Sequence, residues 1–137
     1  MNYLLDTSAC IALINGKPAS PRGRFQKMIE AGAKVFVSPI AVYELWYGVS
    51  TSSNPQASTE RLAAFFAGPI QVLPFDTEDA QLCGAVRADL EDAAKPIGAY
   101  DLLTAGQALR HKLTLVTANT SEFARVKGLV WQDWAKP

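Results

Sequence analysis

Three solitary acids mark where this chain can do chemistry. Asp6 is the one charged side chain between Met1 and Lys17, Glu44 the one between Lys34 and Glu60, and Asp101 the one between Lys95 and Arg110. An ionised carboxylate in such apolar stretches loses several kcal/mol of hydration unless a cation or strong donors replace the water. None of the three stretches supplies a Lys, Arg or His beside its acid. If the three meet in space they repel one another and their pKa values rise, unless a divalent ion sits between them. A metal site is therefore the working expectation. Carboxylate oxygens with water and a neutral amide oxygen suit hard cations, so Mg²⁺ or Mn²⁺ is expected and zinc is not. Such ions serve phosphate chemistry, turning water into a nucleophile and stabilising charge on the phosphorus oxygens.

The elements that must position these acids can be read from hydrophobic pattern and breakers. Tyr3-Leu4-Leu5 is a short apolar strand ending at Asp6, and Thr7 or Ser8 is expected to cap a helix from about Ala9 to Asn15, closed by Gly16. Lys17 to Arg24, with two prolines and three basic residues, reads as a loop, either a solvated connection or a substrate-facing flap. A helix to about Ala31 follows. Val35-Phe36-Val37 is a second strand, and Ser38-Pro39 opens a helix over 40–49 that is apolar on nearly every face around Glu44.

Residues 51–58 read as a polar, mobile connection before a helix over about 59–67. Ile70 to Leu73 is a third strand, and Asp76 with Asp79 forms a rough capping box for a helix reaching about Ala93. Ala80, Leu82, Cys83, Val86 and Leu90 form its expected inner stripe. After Lys95-Pro96-Ile97-Gly98, a helix from about 99 to 110 holds Asp101 in its first turn, where helix amides alone could account for an acid. Leu113 to Thr117 is a fourth strand ending in Ala118-Asn119, and 129–131 a short last one before Trp134, which is expected to pack back on the body.

Strands alternate with helices throughout, which predicts an α/β fold with a central, mostly parallel sheet of four to five strands between two helical layers. The 137 residues fit one domain spanning 1–137, long enough to bury about two-thirds of the unfolded surface. In such folds the ligand site lies beyond the carboxyl ends of the strands. Asp6 and Asn119 stand at such ends. Thr7, Ser8 and Thr117 are placed to orient ligands from a second layer. Glu122, three residues after Asn119, fits either a site role or the first turn of the next helix.

Composition narrows the possibilities. Thirteen basic and thirteen acidic side chains leave zero formal charge, so no global basic field drives binding to nucleic acid. Apolar residues make up 49% and charged ones 19%, a globular balance that leans apolar and fits a partner-covered patch. Cys10 and Cys83 show no CxxC spacing and read as small buried residues, and His111 is the single histidine, read as a partly exposed helix-end residue. Without a signal segment or a long apolar run, the chain reads as cytoplasmic and free of membrane.

Four motifs in order carry a resemblance. Leu4-Leu5-Asp6-Thr7-Ser8, Ser38-Pro39-Ile40-Ala41-Val42-Tyr43-Glu44-Leu45 with Gly48, Pro96-Ile97-Gly98-Ala99-Tyr100-Asp101-Leu102-Leu103, and Leu115-Val116-Thr117-Ala118-Asn119 through Glu122-Phe123-Ala124-Arg125-Val126 resemble PIN-domain ribonucleases. The chain looks most like the VapC-type toxins of bacterial toxin-antitoxin pairs, over essentially its whole length. The resemblance implies a three-layer PIN fold and Mg²⁺- or Mn²⁺-dependent cleavage of RNA to a 3′-hydroxyl and a 5′-phosphate. Asp6, Glu44 and Asp101 match the family's core acids and carry over as metal ligands. Asn119 stands where many PIN domains carry a fourth acid, and it adds no charge for a second metal. The family also implies a cognate antitoxin that reaches the site with a basic side chain, and a homodimer or hetero-oligomer. Trp46, Tyr47, Phe65 and Phe66 are candidate parts of an apolar groove for that partner, with a place in the core as the other reading.

Two other readings share some of these features. A non-catalytic scaffold could retain the fold, although none of the three acids is missing. A receiver-type phosphoacceptor domain needs a further acid beside the first-strand aspartate and a lysine near the last strands, and Val116-Thr117-Ala118-Asn119 offers none.

Overall fold

The computed structural model describes residues 1–136. Its strands are β1 (Tyr3–Leu5), β2 (Val35–Val37), β3 (Gln71–Val72), β4 (Thr114–Val116) and β5 (Trp131–Gln132). They form one parallel sheet in the order β3-β2-β1-β4-β5, with Leu5 opposite both Val37 and Val116. All four strand pairings are parallel, and both outer strands are only two residues long.

Period-two alternation splits the central strand between two cores. Tyr3 and Leu5 face one side, with Val35, Val37 and Val116, and are covered by α1 (Thr7–Asn15), α3 (Pro39–Ser50) and α4 (Pro55–Phe66). Leu4 and Leu115 face the other side, under α5 (Thr77–Asp92) and α6 (Ala99–Arg110). Trp134 packs edge-on against Tyr3, with ring centroids 5.3 Å apart, and is buried as expected. The result is the three-layer α/β/α arrangement.

Several local expectations change. The N-cap of α1 is Asp6, whose carboxylate accepts from the Ala9 amide, so the helix starts at Thr7 and neither hydroxyl residue caps it. The loop after Gly16 is short, because α2 (Ser20–Glu30) begins with Pro21 near its start. Arg22 donates to the Leu13 and Ile14 carbonyls at 2.8 and 2.9 Å, closing the end of α1. The stretch read as a loop over Lys17 to Arg24, either a solvated connection or a flap, is thus helical from Ser20 onward. The 51–58 connection is also shorter, since Asn54 caps α4 and Pro55 begins it. Ala80 faces solvent, while Asp79 of the capping box is fully buried.

Burial of Asp79 is permitted by Arg110, which reaches across from the end of α6. Its Nη1 lies 3.0 Å from Asp79 and 2.9 Å from Asp76, and its Nη2 lies 2.8 Å from Glu78. His111 adds an Nε2 contact of 3.2 Å to Asp79. Along the same antiparallel pair, Gly106 of α6 lies directly over Cys83 of α5. A Cβ at position 106 would overlap the Cys83 sulfur and stand 3.1 Å from its Cα. Gly106→Ala is expected to lower unfolding free energy by about 1–3 kcal/mol through overpacking. An unchanged urea midpoint would mean that α5 and α6 can separate without loss.

Candidate active site

β1 feeds outward to β2 on one side while β4 returns on the other, so the chain reverses direction across the sheet beside β1. The crevice between the ends of β1 and β4 is the place where such sheets bind ligands. Asp6 follows β1, and Thr117 follows β4.

Asp6 is 5% exposed and has no cation beside it. Hydroxyls and an amide hold it instead. Ser8 Oγ donates to Oδ1 at 2.7 Å and the Ala9 amide to the same oxygen at 2.8 Å, while Thr117 Oγ1 donates to Oδ2 at 2.5 Å. The same hydroxyls accept in turn, Ser8 from the Ala118 amide at 3.1 Å and Thr117 from the Asn119 amide at 2.9 Å. Two relays thus tie the start of α1 to the end of β4 through one carboxylate. Burial pushes the Asp6 pKa up, the three hydrogen bonds pull it back, and the charge of Glu44 adds to the rise.

Glu44 arrives on α3, whose start is set by buried Ser38 accepting from the Ile40 amide at 3.1 Å. Thr7 Oγ1 donates to Glu44 Oε1 at 2.6 Å, so the residue after Asp6 grips the second acid. Asp101 lies in the first turn of α6. Asn119 Nδ2 donates to its Oδ2 at 3.1 Å and to Glu122, which also accepts from the Gly98 amide. Burial first, then the neighbouring Glu122 and the charge of Asp6, push the Asp101 carboxyl up to about 7. Glu122 is held down by the same contact and by the Gly98 amide.

Asp6, Glu44, Asp101, Asn119 and Glu122 are therefore linked in one network, with Thr7, Ser8 and Thr117 as its hydroxyl donors. Asn119 turns its amide nitrogen, not its oxygen, toward the acids, because two carboxylates call for a donor. Glu122 occupies the first turn of α7 (Thr120–Phe123) and shares the Asn119 amide with Asp101. Among the described residues, no three Asp, Glu, His or Cys side chains already enclose a common point at ligand distances. Cys10 and Cys83 are buried thiols whose pKa values desolvation pushes up, and neither is a nucleophile.

Tyr43 and Tyr100 escaped notice in the sequence. Each directly precedes an acid, and their rings meet above the site with hydroxyls 3.2 Å apart. Adjacency to Glu44 and Asp101 was the available signal. The expected groove residues separate: Trp46 and Tyr47 are exposed, whereas Phe65 and Phe66 pack against the first core. The groove that reaches the site lies between α1, α3 and α4. It measures about 230 Å³ and is lined by Ile11, Ile14, Leu45, Val49 and Leu62, with Glu44 and Arg61.

A PIN-domain family model matches residues 3–129. The chain is a PIN-domain protein. This PIN domain is 38% identical over 135 residues to the tRNA(fMet)-specific endonuclease VapC of Shigella flexneri, covering 98% of this chain and 99% of that one. It is 32% identical to ribonuclease VapC2 of Rickettsia felis, covering 99% and 100%. In three dimensions it is similar to a chain in a crystal structure of VapBC2 from Rickettsia felis bound to a DNA fragment from their promoter, with a TM-score of 0.91, 31% identity and coverage of 98% and 99%. This PIN domain belongs to the VapC ribonucleases.

The raised Asp101 pKa gives the site a pH signature. A carboxyl that ionises near 4 when unfolded and near 7 when folded adds stability below pH 4, which is lost as pH rises to about 7. In divalent-free buffer, unfolding free energy is expected to fall across that window, and Asp101→Asn to flatten the fall. An unchanged slope in the variant would place the proton elsewhere.

Proposed function

We propose that this VapC-family chain is the endoribonuclease toxin of a toxin-antitoxin pair, acting in the cytoplasm with Asp6, Glu44 and Asp101 as ligands of Mg²⁺ or Mn²⁺. The observation that carries this reading is the network itself: acids from three separate elements converge at the strand ends with no protein cation among them. The donor set fits a hard divalent ion, being all oxygen, from carboxylates that burial first and neighbouring acids second leave with a raised pKa at Asp6 and Asp101. When bound, that ion would supply a nucleophilic water and neutralise charge on the phosphate.

The chain's own residues supply position. Ser8 and Thr117 fix both oxygens of Asp6, and Thr7 fixes Glu44, so these two acids are oriented by hydroxyls from α1 and the end of β4. Asn119 ties Asp101 to Glu122 by donating to both. Cleavage to a 3′-hydroxyl and a 5′-phosphate is an in-line displacement. The oxygen of water bonds to phosphorus, the bond from phosphorus to O3′ breaks, O3′ takes a proton, and the water's proton leaves through solvent or a site carboxylate.

The partner we assign is a cognate antitoxin, supported by the VapBC complexes among the structural relatives, in a hetero-oligomer or with a toxin homodimer. Its seat is the groove between α1, α3 and α4, which is apolar along its walls and ends at Glu44, within reach of a basic side chain.

Asp6→Ala would remove a helix cap together with the ligand, at about 1 kcal/mol. Asp6→Asn keeps the cap and isolates the charge. Cleavage of total cellular RNA by purified protein is expected with Mg²⁺ or Mn²⁺, to vanish with chelator, and to fall at least about 100-fold in Asp6→Asn and Asp101→Asn. Folded, antitoxin-free protein that cuts nothing under any of these conditions would favour the scaffold reading.

A further inference from the structure

We propose that Tyr43 and Tyr100 form a stacking platform that holds an unpaired RNA base beside the acids. The proposal rests on the ribonuclease reading above. Tyr43 comes from α3 and Tyr100 from α6, and each is the residue immediately before an acid of the network. Their rings stand edge to face, with centroids 5.5 Å apart and planes at 68°, and a hydroxyl contact of 3.2 Å spans the pair. Both remain open, at 53% and 45% exposed, and neither belongs to a core cluster.

Charge decides what this pair can hold. RNA must bring a phosphate up to the carboxylates, yet the segments that carry the acids, 1–16, 35–59 and 96–121, contain no lysine or arginine apart from Arg110 and Lys112 at the far end of α6. Arg110 is committed to Asp76, Glu78 and Asp79, and Arg125 to the Pro96 carbonyl. Arg61, in the groove at Glu44, and Arg125, whose charge reaches Glu122, are the cations near this mouth among the described residues, a small share of the ionic grip that usually dominates nucleic-acid affinity. An uncharged contact beside the acids would add to that grip. Stacking on an aromatic face does so, tolerates any base, and requires that the base be free of its duplex neighbours. In this edge-to-face pair, with both rings about half exposed, the outer face of one ring stays free.

The test uses the full chain. Tyr43→Leu, Tyr100→Leu and the matching phenylalanine variants are compared on a hairpin RNA cut by the wild type. In parallel, a single strand containing 2-aminopurine is titrated against the Asp6→Asn protein, with and without both leucine substitutions. The leucine variants are expected to raise KM about tenfold or more while kcat stays within about twofold. Phenylalanine variants should behave as wild type, because the ring face stacks. Fluorescence quenching should appear with Asp6→Asn, be absent for the same strand in a duplex, and disappear in the triple variant. Unchanged KM and quenching in the leucine variants would overturn the proposal. So would a change in oligomeric state on gel filtration with quenching per protomer preserved, which would assign the pair to contact with a second copy. A wild type that cuts no RNA would instead fail the ribonuclease reading, and the quenching experiment would still decide the platform.

Discussion

Burial of one carboxylate at the end of the central strand is the constraint on which this structure turns. Asp6 follows the strand with neighbours on both sides, in the position that packing would give to a leucine. It has to be solvated from within. Ser8 and Ala9 supply donors from α1, and Thr117 supplies one from β4. Because these donors come from elements far apart in sequence, satisfying Asp6 also fixes how α1, β1 and β4 meet. A hydroxyl lost there would leave a buried acceptor short of a partner, a penalty comparable to a buried cavity.

The molecule contains two acidic groups of opposite design. At the start of α5, Asp76, Glu78 and Asp79 are matched by Arg110, and the Asp79 amide together with that guanidinium holds the Asp76 carboxyl below its usual range. Those charges are settled within the fold, and they lock α5 to α6. At the strand ends the acids have only hydroxyls and amides, and burial with mutual repulsion raises Asp6 and Asp101. One cluster is complete in itself. The other is left with a raised affinity for protons.

Two surfaces lead to that site from different sides. The α1–α3–α4 groove is apolar and reaches Glu44, as a protein segment would need. The two tyrosines stand on α3 and α6, flat and uncharged, as a nucleobase would need. Helix α3 serves both because its faces are nearly all apolar. Leu45 and Val49 turn inward, while Tyr43, Trp46 and Tyr47 are left outside. That division explains why the aromatic residues first assigned to a single groove do not share one.

Much of the site was legible in sequence because a lone acid in an apolar segment is conspicuous, and Asp6, Glu44 and Asp101 each stand alone in theirs. Strand and helix order was legible too, since short β-branched runs alternate with helices marked by Ser38-Pro39, Asp76 and Gly16. Boundaries were less so where local chemistry permits two answers. Polar residues 55–58 suit a loop until Asn54 caps them into α4, and Thr7 suits a cap until Asp6 takes that place. What tertiary structure alone decided is whatever depends on partners distant in the chain. Asp79 reads only as part of a capping box until Arg110, 31 residues away, supports its burial. Asn119 reads as an oxygen donor until two carboxylates turn its nitrogen inward, and Tyr43 meets Tyr100 across 57 residues. Sequence determined which groups are chemically out of place, because hydration cost follows from the local segment. The fold determined what each group faces, because that depends on which segments the sheet brings together.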